Sequence, residues 1–476
     1  MLALAASSFA ADRLRCAHTV FSVPGVKFMQ KFRTPDTEAA VSVSGLPKGL
    51  SWNARRRLVE GKVKKEGVYF YTAEWKKGEV TERHRIQLTV SSHLQLPTPF
   101  MGWLSWNSVQ GDVSEAVVRD AVQLLKDRGL YEAGWNYVMM DDLWQARERT
   151  ADGQPAADGR RFPHGVKAVA DYVHQNGMKF GLYTDEADKT CAGAYGSHGK
   201  ELVDADQYAE WGIDVVKCDY CDAPEARDTA VARYTAMGTA FRKAKKPITL
   251  YICEWGQRQP WEWGAEAGGC CWRVSGDVRD RWTCEPGGVG VVESIAAMKD
   301  IALYSGVNRF NDADMLCTGL HGTGKSSSDL CFGDAGMTQD EYATQFALWC
   351  MWSSPMALSF DPRTGTLTDE DVKMLTNREL IALNQDPMGQ QAECISQRDS
   401  IVVFAKDLAD GSVALSFTNM SAAQKDYCLT FSSVDALKSG KKYTCRDLWT
   451  GQEEKLKGTL TTCLRPHATR VYRLRK

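Results

Sequence analysis

The feature that most constrains the fold is an alternation of short apolar runs with longer amphipathic segments between about residues 100 and 387. Eight runs have the length and the β-branched or aromatic content of buried strands, at 101–106, 137–142, 179–185, 215–220, 248–255, 272–277, 307–314 and 356–361. Segments of helical apolar period lie between them, such as 114–129, 166–177 and 340–352. Eight strands alternating with helices predict a (β/α)8 TIM barrel. A doubly wound open sheet is the alternative, which the count of eight and the lack of a glycine fingerprint after the first strand disfavour.

The regions on either side of the barrel have β character. Short alternating runs at 18–23, 39–45, 68–75 and 85–90, separated by Gly and Pro, predict a small β-sandwich, and Pro97 and Pro99 mark its end. Runs at 401–407, 413–420 and 469–475 predict a C-terminal antiparallel β domain. The predicted organisation is therefore a signal-peptide remnant, an N-terminal β-sandwich, the barrel and a C-terminal β-sandwich, at 1–11, 12–95, 96–387 and 388–476.

The first eleven residues, MLALAASSFAA, are apolar and then rich in small residues, as in the tail of a secretory signal. They predict a periplasmic or secreted protein. The chain has 15 cysteines, an odd number, so at least one is unpaired. Its one C-x-x-C, Cys218–Cys221, has no second pair at zinc spacing, and a redox role would need a different topology.

Composition excludes several classes of function. Lys and Arg number 58 and Asp and Glu 60, so there is no basic footprint for nucleic acid or anionic lipid. No uncharged apolar run approaches the ~20 residues of a membrane-spanning helix. The histidines are scattered singly, and we predict no metal and no cofactor. Fifteen tryptophans against 8 histidines fit a protein that stacks flat apolar faces.

Charged residues stand at the ends of nearly all the predicted strands: Asp141, Asp142, Asp185, Lys217, Asp219, Glu254, Arg273, Asp277, Asp312, Asp314 and Asp361. A buried carboxylate is costly unless it is paired or functional, and the C-terminal strand ends of a barrel meet on the face that holds the active site. An aspartate can also cap the following helix, which would explain any single case. Seven strands of eight favour a shared pocket.

Two chemistries use such a pocket, namely the binding of Mg²⁺ or Ca²⁺ by oxygen ligands and glycoside hydrolysis by paired carboxylates. Aromatic residues beside the acids favour a sugar, because their faces can stack on its C–H surface. Lys217 and Arg273 would compete with a metal but can donate hydrogen bonds to hydroxyl groups.

Eight motifs make the chain recognisable: TPFMGWLSWN, MMDDLW, the stretch 161–193, AEWGIDVVKCDYC, ICEWG, WRVSGDVRDRW, NDADM and LNQDPMGQQ. From about Pro97 to Gln391 the sequence resembles glycoside hydrolase family 27, which contains the α-galactosidases and α-N-acetylgalactosaminidases. The resemblance implies a barrel followed by an antiparallel β domain. Residues 42–75 resemble the immunoglobulin-like modules found beside secreted bacterial enzymes.

The resemblance implies a retaining exo-acting α-galactosidase. Its nucleophile would be Asp219 of K-x-D-x-C, kept ionised by Lys217, and its general acid/base Asp277 of W-R-x-x-x-D on the sixth strand. Retention needs the two carboxyls ~5–5.5 Å apart. Cys191 and Cys221 match the family's disulfide beside the pocket. The implied substrate-binding residues are Trp106, Asp141, Asp142, Tyr183, Lys217, Glu254, Arg273 and Asp314.

Within that set, the Asp141–Asp142 pair would accept hydrogen bonds from the 4- and 6-hydroxyls of galactose, and a bulky Glu254 argues for a free 2-hydroxyl. Three positions depart from the family pattern: Leu143 stands where Cys is usual, Arg309-Phe310 where Gly-Trp is usual, and Cys218 where an aromatic residue is common. These departures concern fine specificity and the preference for the leaving group.

Several alternatives stay open. They are a β-L-arabinopyranosidase, an α-N-acetylgalactosaminidase and a non-catalytic sugar-binding protein on the same scaffold. Gly319–Ser326 fits the P-loop expression but lacks the strand before it and the helix after it, so we interpret it as a loop. The expected partner is an α-galactoside oligosaccharide or polysaccharide, and the sequence does not give the oligomeric state.

Overall fold

A computed structural model describes residues 13–36, 38–324, 335–438 and 440–476. The predicted signal remnant at 1–11, and Lys325 and Ser326 of the P-loop-like stretch, lie outside the described residues. The chain divides into two compact units, Met1–His93 and Leu94–Lys476. Within the described ranges, every helix is too short or too polar to cross a bilayer.

The first unit is built from two β-sheets. Its strands are β1 Thr19–Ser22, β2 Phe28–Lys31, β3 Ala40–Ser44, β4 Leu50–Asn53, β5 Leu58–Gly61, β6 Gly67–Lys77 and β7 Val80–Val90. One sheet has the order β1-β7-β6-β3, with β1 parallel to β7, and the other has the order β2-β5-β4. The buried hydroxyl of Tyr71 on β6 donates to Gln30 on β2 and joins the sheets. The immunoglobulin-like assignment of this unit stays a prediction.

The second unit begins with an eight-stranded parallel sheet. Its strands are β8 Met101–Leu104, β9 Tyr137–Met139, β10 Lys179–Asp185, β11 Val215–Asp219, β12 Thr249–Ile252, β13 Gly269–Arg273, β14 Phe310–Asp312 and β15 Met356–Leu358. Hydrogen bonding runs in the order β14-β13-β12-β11-β10-β9-β8-β15. Leu316, just after β14, forms a parallel bridge with Leu358 of β15 and so closes the ring. The predicted TIM barrel is confirmed.

Helices alternate with these strands. They are α1 Trp106–Val109, α2 Glu115–Asp127, α3 Gly165–Gln175, α4 Glu201–Trp211, α5 Arg227–Lys243, α6 Pro260–Ala267, α7 Val291–Met298, α8 Gln339–Trp352, α9 Asp369–Leu375 and α10 Arg378–Asn384. The Ser114 hydroxyl accepts from the Val117 N–H at the start of α2, and Thr338 and Glu341 form a capping box on α8. These caps explain why both helices begin within one residue of the prediction.

The C-terminal part of the second unit is an antiparallel β structure. Its strands are β16 Glu393–Arg398, β17 Ile401–Asp407, β18 Val413–Asn419, β19 Lys425–Thr430, β20 Lys442–Asp447, β21 Glu453–Lys457, β22 Thr459–Leu464 and β23 Thr469–Arg475. They form sheets of order β16-β17-β18-β23-β20-β21 and β19-β22. Val403, Leu415, Phe417 and Leu460 are buried in their shared core. The predicted antiparallel domain is confirmed.

A buried lysine ties this β structure to the barrel. Lys406 of β17 is 1% exposed, and its ammonium donates to the Ser353 hydroxyl and to the Leu383 carbonyl, both at 2.6 Å. Burial disfavours the charged form and lowers the pKa of Lys406 to about 8, and the nearby Asp386 only partly opposes this.

We expect Lys406 to leave a signature in the pH dependence of stability. Between pH 8 and the ordinary lysine pKa of 10.5, the unfolded chain holds a proton that the folded chain has lost, so the free energy of unfolding should rise with pH in that window. Urea unfolding of wild type and Lys406→Met at pH 7 and pH 10.5 would show a wild-type gain larger by about 3 kcal/mol. Equal gains would contradict the depressed pKa.

Candidate active site

Two neighbouring strands bring the first groups of the site together. Tyr183 of β10 lies opposite Lys217 of β11, and Asp185 lies opposite Asp219 in the same register. Because side chains two residues apart on a strand point to the same face, Lys217 and Asp219 are directed together. The carboxyl end of β11 therefore carries an ammonium and a carboxylate within one pocket.

Lys217 forms a buried ion pair at the centre of this pocket. Its Nζ lies 2.8 Å from Asp141 Oδ2, and both side chains are at most 6% exposed. The ammonium also lies 5.2 Å from the centre of the Tyr183 ring. Burial opposes its charge, but Asp141 and Asp219 outweigh burial and raise the pKa of Lys217 well above its ordinary value. Lys217 is therefore a permanent cation.

Asp219 has one anchored oxygen and one bare oxygen. The Tyr183 hydroxyl donates to Oδ2 at 2.6 Å, whereas Oδ1 is buried with no hydrogen-bond partner among the described residues. Burial raises the pKa of Asp219 to about 6, and Lys217 only partly opposes the rise. Lys217 acts in the expected direction, but it does not hold the pKa of Asp219 at its ordinary value.

Asp277 lies beyond the end of its strand. The predicted run 272–277 starts too late and extends too far, because β13 is Gly269–Arg273 and Asp277 stands in the loop that follows. The sequence prediction that Asp277 lies on the sixth strand is therefore wrong. The Val278 N–H donates to Asp314 Oδ2 at 2.7 Å, which ties this loop to the residues after β14. The Asp277 side chain is 54% exposed.

Arg273 is the cation that faces Asp277. Its guanidinium is fully buried and pairs with Asp277 Oδ1 at 3.0 Å and with Asp314 Oδ1 at 2.8 Å. Desolvation would raise the pKa of Asp277, but the charges of Arg273 and Lys217 outweigh it and lower the pKa. Lys217 thus acts on both Asp219 and Asp277, so the two carboxyls face a common cation.

Asp314 is held in a backbone conformation that favours glycine, with φ 76°. Burial raises its pKa to about 7 despite the Arg273 guanidinium. Leu143, Asp222 and Trp255 also have positive φ, and each lies three or four residues after a barrel strand. Such strain persists only where surrounding structure imposes it, and these four residues stand just after the carboxyl ends of barrel strands.

The adjacent pair Asp141 and Asp142 is held by backbone donors. The Asp142 N–H donates to Asp141 Oδ1 at 2.8 Å, and the Leu143 N–H donates to Asp142 Oδ1 at 2.7 Å. The Ala192 N–H donates to Asp142 Oδ2 at 2.9 Å. Every oxygen of the pair therefore has a fixed partner, since Lys217 takes the remaining one. Burial raises the pKa of Asp142.

Ala192 belongs to the loop carrying the predicted disulfide. Cys191 and Cys221 are bonded, which confirms that pairing. Cys191 Sγ lies 3.4 Å from Asp219 Oδ2, and the Cys221 N–H donates to Asp185 at 3.0 Å. Burial and the charge of Asp219 raise the pKa of Asp185 to about 9, so this carboxyl is neutral at pH 7.

The remaining predicted residues lie at the margin of this network. Trp106 is half-buried against the barrel core. Glu254 accepts from the Arg258 N–H at 2.8 Å through Oε2, its Oε1 has no hydrogen-bond partner within the described ranges, and burial raises its pKa to about 7. Asp361 pairs instead with Arg363, at 2.7 Å.

Sequence reasoning missed two contributors. The Cys253 thiol lies 3.8 Å from Arg273 Nη1. Burial and the charge of Asp219 raise the pKa of Cys253, and Lys217 partly opposes the rise. The backbone N–H of Ala192 supplies a donor that no side-chain pattern could reveal. Cys253 directly precedes Glu254 at a strand end, and that position was the only signal available.

Comparison with known proteins bears on the same region. The family model described as Alpha galactosidase A matches residues 98–386, and that of the Alpha galactosidase C-terminal beta sandwich domain matches residues 398–474. Alpha-galactosidase A of Cellvibrio japonicus is 34% identical over 391 residues, which are 79% of this chain and 92% of that protein.

The fold is also similar to that of solved structures. A crystal structure from Bacteroides fragilis NCTC 9343 covers 97% of this chain and 98% of its own, with TM-score 0.75 and 34% identity. The Saccharomyces cerevisiae α-galactosidase crystallised with raffinose covers 80% of this chain and 98% of its own, with TM-score 0.71 and 26% identity.

Removing the central cation tests the buried pair. Lys217→Met leaves Asp141 buried without its counter-charge, and we expect the free energy of unfolding to fall by about 3–5 kcal/mol in urea titrations. Adding Asp141→Asn should restore part of that loss. Lys167→Met removes the solvent-exposed pair with Asp171 and should change stability by less than about 0.5 kcal/mol. A loss at Lys217 no larger than in this control would contradict the assignment.

Proposed function

Because the chain belongs to the α-galactosidase A family of glycoside hydrolases, we propose that it removes terminal α-linked galactose with retention of configuration. The observation that carries the proposal is the buried carboxyl of Asp219, which Tyr183 holds at Oδ2, in a pocket where the charge of Lys217 acts on both Asp219 and Asp277. Asp219 Oδ1 accepts no hydrogen bond of standard geometry from the residues that the structure describes, which leaves that oxygen available to attack a bound sugar.

In the first step, Asp219 Oδ1 attacks the anomeric carbon as the bond to the leaving oxygen breaks. Asp277 gives its proton to that oxygen, so a neutral alcohol departs and the sugar is esterified to Asp219. The Tyr183 hydroxyl on Oδ2 holds the carboxylate in position for the attack. The configuration at the anomeric carbon is inverted.

In the second step, Asp277, now ionised, takes a proton from water. The resulting hydroxide equivalent attacks the anomeric carbon and breaks its bond to Asp219, which leaves as a carboxylate. The second inversion restores the α configuration. Asp277 regains its proton from the water molecule, so both carboxyls return to their starting state.

The charges of the sugar-free site favour the opposite placement of the proton. Asp219 has the raised pKa and Asp277 the lowered pKa, whereas attack needs Asp219 ionised and Asp277 protonated. A sugar ring that covers the half-exposed Asp277 would desolvate it and raise its pKa. Substrate binding would therefore move the shared proton toward the group that must donate it.

Two features support galactose over related sugars. Asp141 and Asp142 are rigid acceptors whose remaining lone pairs suit hydroxyls in a fixed direction such as the axial 4-hydroxyl, and glucose would leave those lone pairs without a donor. The family resemblance puts Glu254 near the 2-position of the sugar, and a bulky buried side chain there would favour a free hydroxyl over an acetamide.

The proposal extends to the location of the enzyme in the cell. A disulfide bond between Cys191 and Cys221 supports a periplasmic or secreted enzyme, because such bonds persist in oxidising environments. An immunoglobulin-like module in the first unit, as found beside bacterial secreted enzymes, would fit that location.

The direct test is a panel of p-nitrophenyl glycosides with the product anomer followed by NMR. We expect hydrolysis of the α-galactoside with α-galactose formed first, and weaker turnover of the α-N-acetylgalactosaminide and the β-L-arabinopyranoside. Asp219→Ala should lose roughly 10⁴-fold or more in kcat. Asp206→Ala, on the exposed side of α4, should retain full activity. A β-anomeric first product would overturn the retaining mechanism.

The slope of kcat/KM against pH should change sign when the general acid, Asp277, is removed. In wild type the reactive site holds one proton between two carboxyls, so kcat/KM should fall as pH rises above about 6, where that proton leaves. Asp277→Ala acting on 2,4-dinitrophenyl α-galactoside needs only ionised Asp219, so its kcat/KM should rise through about pH 6 to a plateau. A falling profile in this variant would contradict the assignment of Asp219.

A further inference from the structure

A group of three potential metal ligands lies beside the loop that carries Cys191. Glu186 directly follows β10, Glu201 is the first residue of α4, and His198 lies in the turn before that helix. One ligand atom from each of the three lies within 4.8 Å of the others. The proposed hydrolysis uses none of these side chains.

The burial of the Glu186 carboxyl needs a physical explanation. Its side chain is fully buried, and neither carboxyl oxygen has a hydrogen-bond partner in the part of the chain that the structure describes. Its backbone, in contrast, is fully engaged: the N–H donates to the Asp219 carbonyl at 3.0 Å, and the carbonyl accepts from Arg233 at 2.7 Å. Buried carboxylates without partners are rare and costly.

The other two ligands are more exposed to solvent than Glu186. His198 Nδ1 lies 3.8 Å from Glu201 Oε1, a distance that leaves room for an ion between them. The Gly199 N–H donates to Glu201 Oε1 at 2.9 Å and orients that carboxyl. The His198 side chain is 37% exposed and that of Glu201 is 17% exposed, so water can reach the space between the three ligands.

We propose that Glu186, His198 and Glu201 bind one divalent transition-metal ion. One imidazole with two carboxylates suits Zn²⁺ or Mn²⁺, whereas Ca²⁺ and Mg²⁺ prefer sites made of oxygen alone. The three protein ligands leave a position for water. The ion would give the oxygens of Glu186 a direct ligand, which Arg233 does not, because its guanidinium donates to the Glu186 backbone carbonyl.

Such an ion would join the two ends of one loop. Glu186 precedes residues 187–197 and His198 follows them, and this segment carries Cys191 and the Ala192 N–H that holds Asp142. The bound metal therefore has a structural role, and it would hold the loop next to the pocket. The inference does not depend on the substrate of the enzyme.

The test is Zn²⁺ and Mn²⁺ binding to the chelator-treated full chain, followed by thermal unfolding and by metal content after gel filtration. Cys16, His18 and His84 of the first unit also lie within ligand distance of one another, so the measurements use a His84→Ala background. At a hundredfold excess over Kd we expect the unfolding temperature to rise by roughly 3 °C, with one ion retained per chain. Ca²⁺ and Mg²⁺ should give smaller shifts.

Variants make the assignment specific. Glu186→Gln and His198→Ala should abolish both the temperature shift and the bound ion, whereas Glu210→Gln, an exposed residue of the same helix, should keep both. A shift that survives Glu186→Gln would overturn the proposal. So would the absence of any saturable shift together with a higher unfolding temperature for metal-free Glu186→Gln, which would mean that Glu186 is a neutral buried acid.

Discussion

The ammonium of Lys217 is the interaction on which the candidate site depends. It is buried at the end of β11, paired with Asp141 at 2.8 Å, and it acts electrostatically on both Asp219 and Asp277. Without it, the site would collect negative charge in a low-dielectric pocket, and that charge would be neutralised by protonation. One fixed cation therefore lets several carboxyls coexist in the pocket.

Burial nevertheless dominates the pKa values of most carboxyls of the site. It raises the pKa of Asp219 to about 6, of Asp314 to about 7 and of Asp185 to about 9, although the cations Lys217 and Arg273 lie nearby. The exception is Asp277, which stands in a loop and remains half-exposed beside Arg273. This contrast separates the carboxyls anchored in the barrel from the one that, in the proposed mechanism, a bound sugar would desolvate.

The accuracy of the sequence prediction followed the local strength of its pattern. The runs 179–185, 401–407 and 469–475 coincide with β10, β17 and β23, because alternating or continuous apolar residues are bounded there by turns or charges. The sixth barrel strand was misplaced, since its first residues, Gly269 to Cys271, lack β-branched side chains. The residues after Arg273, Val-Ser-Gly-Asp, include one β-branched side chain, which extends the apparent strand beyond its true end.

The sequence by itself determined the barrel, the C-terminal β structure, and the carboxylates and cations available at the strand ends. These properties follow from hydrophobic period and residue type, which are local. Only the tertiary structure decided that Arg273 joins Asp277 to Asp314 and that the Ala192 N–H holds Asp142. It also decided that the carboxyl oxygens of Glu186 are buried with no hydrogen-bond partner among the described residues. Protonation and pairing depend on burial and on distances between atoms far apart in the chain, and neither quantity exists before the chain has folded.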